Sequence, residues 1–319
     1  MKILITGATG LVGKAIVKEL HAKKITVNYL TTSKSKIVSK KGYQGYYWNP
    51  KESEIDINCF NDVEAIINLA GATISKRWTK SYKNEVLNSR IDSLKTLKQG
   101  LELSDTTKIE TFASASAIGI YPNSLGTFYT EEETKVDNSF LGEVVNSWED
   151  EIESFKEFGF KVSKIRIGLV LSKDGGALPK MAAPIKNYVG AAFGTGEQWQ
   201  SWIHIDDLAR LFTFVVSNKL SGIYNAVAPN PVTNSKMVTE LAKVLGRSII
   251  LPNIPEFAMK LLLGEMAYLL FASQRVSSQR IEKDGFYFNY LNICKAFEAI
   301  YDKDSNKRSP VSDYKKEFA

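Results

Sequence analysis

The sequence predicts an α/β fold: a Rossmann-type doubly wound parallel sheet with a smaller, mostly helical C-terminal region. Three observations carry this. A glycine-rich turn, Gly7 to Gly13, sits between a short apolar run and a helix-periodic stretch. Strand-like and helix-like segments then alternate as far as Val227, as they must when helices cover both faces of a parallel sheet. From Pro229 onward the pattern becomes mostly helical.

Lys2 to Thr6 reads as the first strand, Leu11 to His21 as a helix and Ile25 to Leu30 as the second strand, one complete strand–turn–helix–strand unit. Strand signals recur at Tyr43 to Trp48 and at Ala65 to Leu69, the latter ending on Ala70-Gly71-Ala72. A long helix follows over Lys80 to Gln99, its stripe carried by Val86, Ile91, Leu94 and Leu97. Thr111 to Ala115 opens a fourth strand, Asn123 to Asn138 is a polar loop, and Phe140 to Phe158 is a helix. Lys164 to Leu171 reads as a buried strand with one arginine, Arg166. Residues 203–228 return to the first domain as two strands around a helix from Asp207 to Val216. The expected division is therefore 1–170 with 203–228, then 171–202 with 229–302, and a polar tail over 303–319. The greasy stretch Phe257 to Phe271 holds Lys260 and Glu265 and is too short to span a bilayer, so a packed helix is expected there.

Composition narrows the function classes. The chain has 319 residues, 44% hydrophobic and 24% charged, an ordinary globular balance. Two cysteines and two histidines are too few for a disulfide framework or a transition-metal centre, so no metal is expected. The net charge of +6 comes from scattered lysines, which favours neither nucleic acid nor membrane as a partner and suits an anionic small molecule. The first residues read as a strand rather than a signal peptide. The expectation is a cytoplasmic monomer or homodimer acting on a small-molecule substrate.

The glycine turn is the strongest motif. Gly7 permits the sharp turn, Gly10 lets backbone approach a pyrophosphate, and Gly13 lets helix and strand pack closely. Backbone N–H groups around Thr9, Leu11 and Val12 then face phosphate at the positive end of the helix dipole. After the second strand an NAD site places an acid on the adenosine ribose. This chain has Thr32, Ser33 and Lys34 instead, hydroxyls and a cation that suit the 2′-phosphate of NADP(H).

The glycine pattern, NLAGA at 68–72 and SASAIG at 114–119 together resemble the extended short-chain dehydrogenase/reductase superfamily. Longer segments are similar to its epimerase-like, sugar-nucleotide-epimerase-related branch: RWTKSYKNEVLNSRIDS, FLGEVVNSWEDE, RIGLVLSKDGGALPKM, GEQWQSWIHIDDLAR and the C-terminal GEMAYLLFASQRVSSQRIEKDGFYFNY. The resemblance implies an NADP-dependent epimerase or oxidoreductase acting on a polar carbonyl compound or nucleotide-linked sugar. The alternative is a protein that binds or senses the cofactor without catalysis. It also implies that Leu69, Ala70, Gly71 and Ser114 line the cofactor. Arg90 is a candidate fork for an anion, with a salt bridge within its helix as the rival reading.

One departure matters. The superfamily's tyrosine and lysine, four residues apart on a helix, fall at Leu141 and Val145, which move no proton. Ser116 matches the family serine and is the candidate to orient the reacting oxygen. Glu143 is the candidate acid/base, and Tyr121 the reserve phenol. Trp199, Trp202 and His204 are the candidate substrate-side residues, with His204 expected to face away from the core.

Overall fold

The computed structural model describes residues 1–301; the tail expected over 303–319 lies outside the described residues. Seven parallel strands form the sheet: β1 (Lys2–Thr6), β2 (Thr26–Thr31), β3 (Tyr43–Asn49), β4 (Ala65–Asn68), β5 (Thr111–Ala117), β6 (Lys161–Ile167) and β7 (Gly222–Ala226). Their order is 3-2-1-4-5-6-7, extended beyond β3 by the short antiparallel pieces Ser39–Lys40 and Glu54–Ile55. The order reverses between β1 and β4, and that switch point is where a doubly wound sheet opens a crevice for ligand.

Helices α1 (Leu11–Ala22), α2 (Lys80–Glu102) and α3 (Phe140–Glu153) follow strands of the sheet. Next come α4 (Leu178–Lys186), α5 (Ile205–Ser217), α6 (Asn234–Val244), α7 (Glu256–Leu263) and α8 (Ile293–Tyr301). Helices α1 and α5 pack together, as do α2 and α3. The sheet core is the branched and aromatic set expected of strands covered on both sides, with Ile3, Leu4, Ile5, Ile66, Phe112 and Ile165 all fully buried. A second core joins α4, α6 and α8 around Leu171, Leu178, Trp202, Met237, Leu241 and Phe297.

Three expectations change. The strand read over Lys164 to Leu171 is two strands: β6 stays in the sheet, whereas Leu169–Leu171 leaves it to pair with Trp202–His204. Gly168 makes the crossing, where a Cβ would lie 2.4 Å from the Ser201 carbonyl oxygen. The helix from Phe140 tightens into a 3₁₀ segment at Ser154–Phe158. The greasy stretch is not a packed helix either. Gly264, at φ +60°, ends α7, which buries none of its residues, and Phe257 and Leu261 are 74% and 83% exposed. Its downstream part does the packing, with Met266, Tyr268 and Leu269 against Trp78 and Tyr82. No helix among the described residues is long and apolar enough to cross a membrane.

Candidate functional site: a dinucleotide cleft with a sealed polar floor

The cleft begins at the carboxyl ends of β1 and β4. Gly7 turns at φ +69°, and its N-terminal neighbour Thr6 stitches the two strand ends together. The Thr6 hydroxyl donates to Asn68 Oδ1 at 2.7 Å and accepts from the amides of Leu69 and Ala70 at 2.9 and 3.0 Å. Asn68 Nδ2 passes the chain on to the Ser114 hydroxyl at 2.9 Å. This ladder fixes the turn after each strand in a single arrangement.

Gly10 caps α1 with its amide on the Gly7 carbonyl at 2.9 Å, and no acid occupies the first turn. The helix start therefore offers free N–H groups and a positive dipole end, with no carboxylate competing for an anion. The glycines divide the work unequally. A Cβ on Gly13 would strike the Gly7 carbonyl oxygen at 2.2 Å, so Gly13 serves packing. A Cβ on Gly10 meets only that same oxygen at 3.2 Å and otherwise points into open space. Thr9, Leu11 and Val12 remain partly accessible around the turn, with Leu11 against Gly175 and Gly176. These residues fit a pyrophosphate.

The turn expected to meet the adenosine ribose lies beyond β2. Thr31 is buried and its hydroxyl accepts from the Ser33 amide at 3.2 Å, setting a tight polar turn. Thr32 is exposed, the Ser33 and Ser35 hydroxyls pair at 2.9 Å, and Lys34 lies over the Tyr47 ring at 4.9 Å. No Asp or Glu occurs between Thr31 and Gly42, whereas Lys34, Lys36, Lys40 and Lys41 do.

The catalytic end differs from expectation. Ser116 is buried and donates its proton to Glu149 Oε1 at 2.6 Å. The Arg166 fork grips the same carboxylate through Nε and Nη2, both at 2.8 Å, and its Nη1 donates to the Tyr121 hydroxyl at 2.9 Å. Tyr121 in turn donates to Asn225 Oδ1 at 2.7 Å, and the amide of Asn225 donates to the buried Glu131. Ser116 thus has its hydroxyl proton committed inside the protein, which corrects its expected orienting role. Tyr121 is corrected as reserve acid, because it is sealed from solvent and burial pushes its phenol up to about 12. Ser114 is also fully buried, so its side chain holds the strand ends rather than the cofactor.

Glu143 is exposed in the first turn of α3, and its carboxylate has no hydrogen bond or ion pair among the described residues. Its helix turns Val145, Trp148, Glu149 and Ile152 inward, while Glu143, Asn146 and Asp150 stay outward. Leu141, at the vacant tyrosine position, packs near Gly119. Arg90 reaches from α2 beneath Gly71, its Nη1 donating to the carbonyls of Val86 and Ala72 at 2.8 and 3.3 Å. No carboxylate lies within ion-pair distance of it among the described residues, so the rival salt bridge is not formed.

The substrate-side candidates separate as well. Trp199 is half-buried, donates to the Leu125 carbonyl at 3.1 Å and carries Arg275 over its ring at 4.6 Å. Trp202 is fully buried in the second core and donates to the Asn230 carbonyl at 3.0 Å, so it supports that core and walls no pocket. His204 is not turned from the core. It caps α5 through Nδ1, accepting from the Asp206 amide at 3.1 Å, and stacks on Tyr290 at 3.8 Å. Burial pushes its pKa down to about 4, so the ring is neutral at neutral pH. No group of His, Cys, Asp and Glu among the described residues is arranged to hold a metal ion.

The Glu149–Arg166 pair was the feature hardest to see in sequence, although a signal existed. Glu149 falls on the apolar stripe of its helix and Arg166 within an apolar strand, and two such buried charges require each other.

Known proteins share this fold. A model of the NAD dependent epimerase/dehydratase family matches residues 3–226, which include the glycine turn, the Thr6–Asn68–Ser114 ladder and the Glu149–Arg166 pair. The chain belongs to that family. A domain of unknown function, DUF1731, matches residues 254–300. An epimerase family protein of Staphylococcus haemolyticus is 38% identical over 306 residues, covering 94% of this chain and 99% of its own length. Among solved structures, the human epimerase family protein SDR39U1 with NADPH has a TM-score of 0.82 at 25% identity, covering 95% of this chain and all of that one. The nucleoside-diphosphate sugar epimerase of Corynebacterium glutamicum has a TM-score of 0.74 at 30% identity, covering 94% of this chain and 58% of that one. A UDP-glucuronic acid 4-epimerase from Bacillus cereus, at 16% identity, shares the fold. Membership of the epimerase/dehydratase family, the glycine turn and the open helix start together support a nicotinamide cofactor in the cleft.

Proposed function

We propose that this epimerase/dehydratase-family protein is an NADP(H)-dependent oxidoreductase or epimerase acting on a small polar carbonyl or hydroxyl compound. The observation that carries the choice of cofactor is the acid-free, four-lysine stretch after β2. A carboxylate there would repel a 2′-phosphate, and Lys34 beside the Ser33 turn attracts one. NADPH in the human relative points the same way. When bound, the nicotinamide supplies hydride chemistry at the carboxyl end of the sheet.

Calorimetry with both cofactors tests the preference. NADPH is expected to bind about tenfold or more tighter than NADH, and Lys34→Ala to weaken NADPH while sparing NADH. Equal affinities for the two cofactors would reduce the lysine cluster to a solvated turn.

With Leu141 and Val145 at the tyrosine and lysine positions and Ser116 and Tyr121 enclosed, Glu143 is the ionisable group left at the start of α3. Its carboxylate has no partner among the described residues, and on this reading it is the group that exchanges a proton with substrate. Once NADPH oxidation is detected with a panel of polar carbonyl compounds and nucleotide sugars, Glu143→Gln is expected to lower turnover about 10²-fold. NADPH affinity should stay put.

A second reading has its own observation. The enclosed hydroxyls of Ser116 and Tyr121 leave few proton donors beside the nicotinamide, as in a non-catalytic NADP(H) binder or redox sensor. Undiminished turnover in Glu143→Gln removes that residue from the mechanism. Absence of turnover across the whole panel, with NADPH binding intact, favours the sensor.

A further inference from the structure

We infer that Arg90 is the receptor for an oxyanion in the cleft, supplying from α2 the positive charge that Val145 on α3 cannot. This rests on the cofactor reading above and adds the chemistry of the group that Arg90 meets.

The argument starts from a charge without a counter-charge. Fourteen ion pairs are found among the described residues, and none includes Arg90. Only its Nη1 is engaged by the protein, on two backbone carbonyls. Nε is sealed from solvent with no acceptor among the described residues, none of which is hydrogen-bonded to Nη2. Beneath the guanidinium, 4.9 Å from its Cζ, lies the ring of Trp148, whose indole N–H is a second buried donor with no acceptor. Orphaned buried donors are rare, and two in contact are unusual for a finished interior. Burial also pulls the Arg90 pKa down to about 10, the mark of a cation deprived of solvent and not repaid by an acid. Arg166, fully buried where Arg90 is partly buried, is satisfied by Glu149 and shows what a purely structural charge looks like here.

Position supplies the rest. Gly71 follows the turn at the end of β4, and a Cβ there would lie 3.2 Å from Arg90 Cζ and 3.3 Å from Nη1. The glycine thus leaves room for the guanidinium against the turn at the end of β4. Trp148, on which it rests, is one helical turn beyond Val145. An oxyanion is the ligand that suits a planar fork lacking its acid. It has two possible sources, the diphosphate of the cofactor or a carboxylate, phosphate or alkoxide of the substrate.

The test uses the full chain with Arg90→Met and Arg90→Lys, melting the apo protein and titrating NADPH by calorimetry. Arg90→Met should melt no lower than wild type, since it removes a partly buried charge that has no counter-charge and keeps the apolar stem. NADPH binding should weaken about 10²-fold in Arg90→Met and recover in part with Arg90→Lys if the cofactor is the source. If the substrate is the source, NADPH binding is unchanged, and oxalate, which binds the wild-type NADPH complex, loses its affinity in Arg90→Met. An Arg90→Met protein that binds both NADPH and oxalate as wild type does overturns the inference alone, as does an unchanged NADPH affinity when the wild-type complex binds no oxalate. Loss of binding matched by a lower apo melting temperature also overturns it, because it assigns Arg90 to the scaffold. Wild-type protein that binds no NADPH sinks the cofactor reading and this inference with it.

Discussion

Gly10→Leu is expected to abolish binding of NADPH and NADH, by more than about 10²-fold, while leaving the apo fold and its melting temperature near wild type. The separation of the two effects follows from geometry. Gly10 has φ −77°, a conformation open to any L residue, and the side chain to be added points past the Gly7 carbonyl into free space. That space is where the free N–H groups of α1 would meet pyrophosphate, so a leucine fills the ligand's volume without disturbing the core. Gly13→Ala is the control with the opposite signature. Its Cβ would collide with the Gly7 carbonyl and with Ala8, both backbone, and the fold itself should weaken. Calorimetry and circular dichroism read the two properties independently. Micromolar NADPH binding by Gly10→Leu would place the dinucleotide elsewhere.

Glu149→Ala is expected to cost about 3–5 kcal/mol of folding stability, the effect of leaving one partner of a buried ion pair uncompensated. Arg166 would keep its charge deep beside β5 with only the Tyr121 hydroxyl to accept from it. The Ser116 hydroxyl would lose its acceptor as well. The double replacement Glu149→Leu with Arg166→Met should recover most of the loss, since two apolar side chains of similar length need no partners. Urea denaturation of the two variants measures the difference. A loss under about 1 kcal/mol for Glu149→Ala would mean that the pair is solvated or dispensable.

How much of this was legible in the sequence depends on the range of the interaction. Strand–turn–helix succession and the spacing of Gly7, Gly10 and Gly13 are local properties, so the sheet, its helices and the pyrophosphate turn could be read directly. Even there, Gly168 hid a break, because it shows only against Ser201, a residue from a different strand. The greasy stretch misled for a related reason. Six of the eight residues of α7 are apolar, yet burial depends on what lies opposite, and the packing went to Met266, Tyr268 and Leu269 instead.

The site shows the same division more sharply. Residue type suggested Ser116 and Tyr121 for the chemistry, and each has the right functional group. Their directions were decided by partners far away in the chain, with Asn225 104 residues from Tyr121 and Glu149 33 residues from Ser116. The sequence by itself determined a glycine turn of the dinucleotide-binding kind, an acid-free stretch after the second strand and a helix lacking the tyrosine and lysine, since these depend on neighbours in the chain. Only the tertiary structure decided which polar groups are spent on one another and which, like Arg90, are left over. A buried charge or hydroxyl must find a partner, and parallel strands brought together across long crossovers determine which partners are within reach.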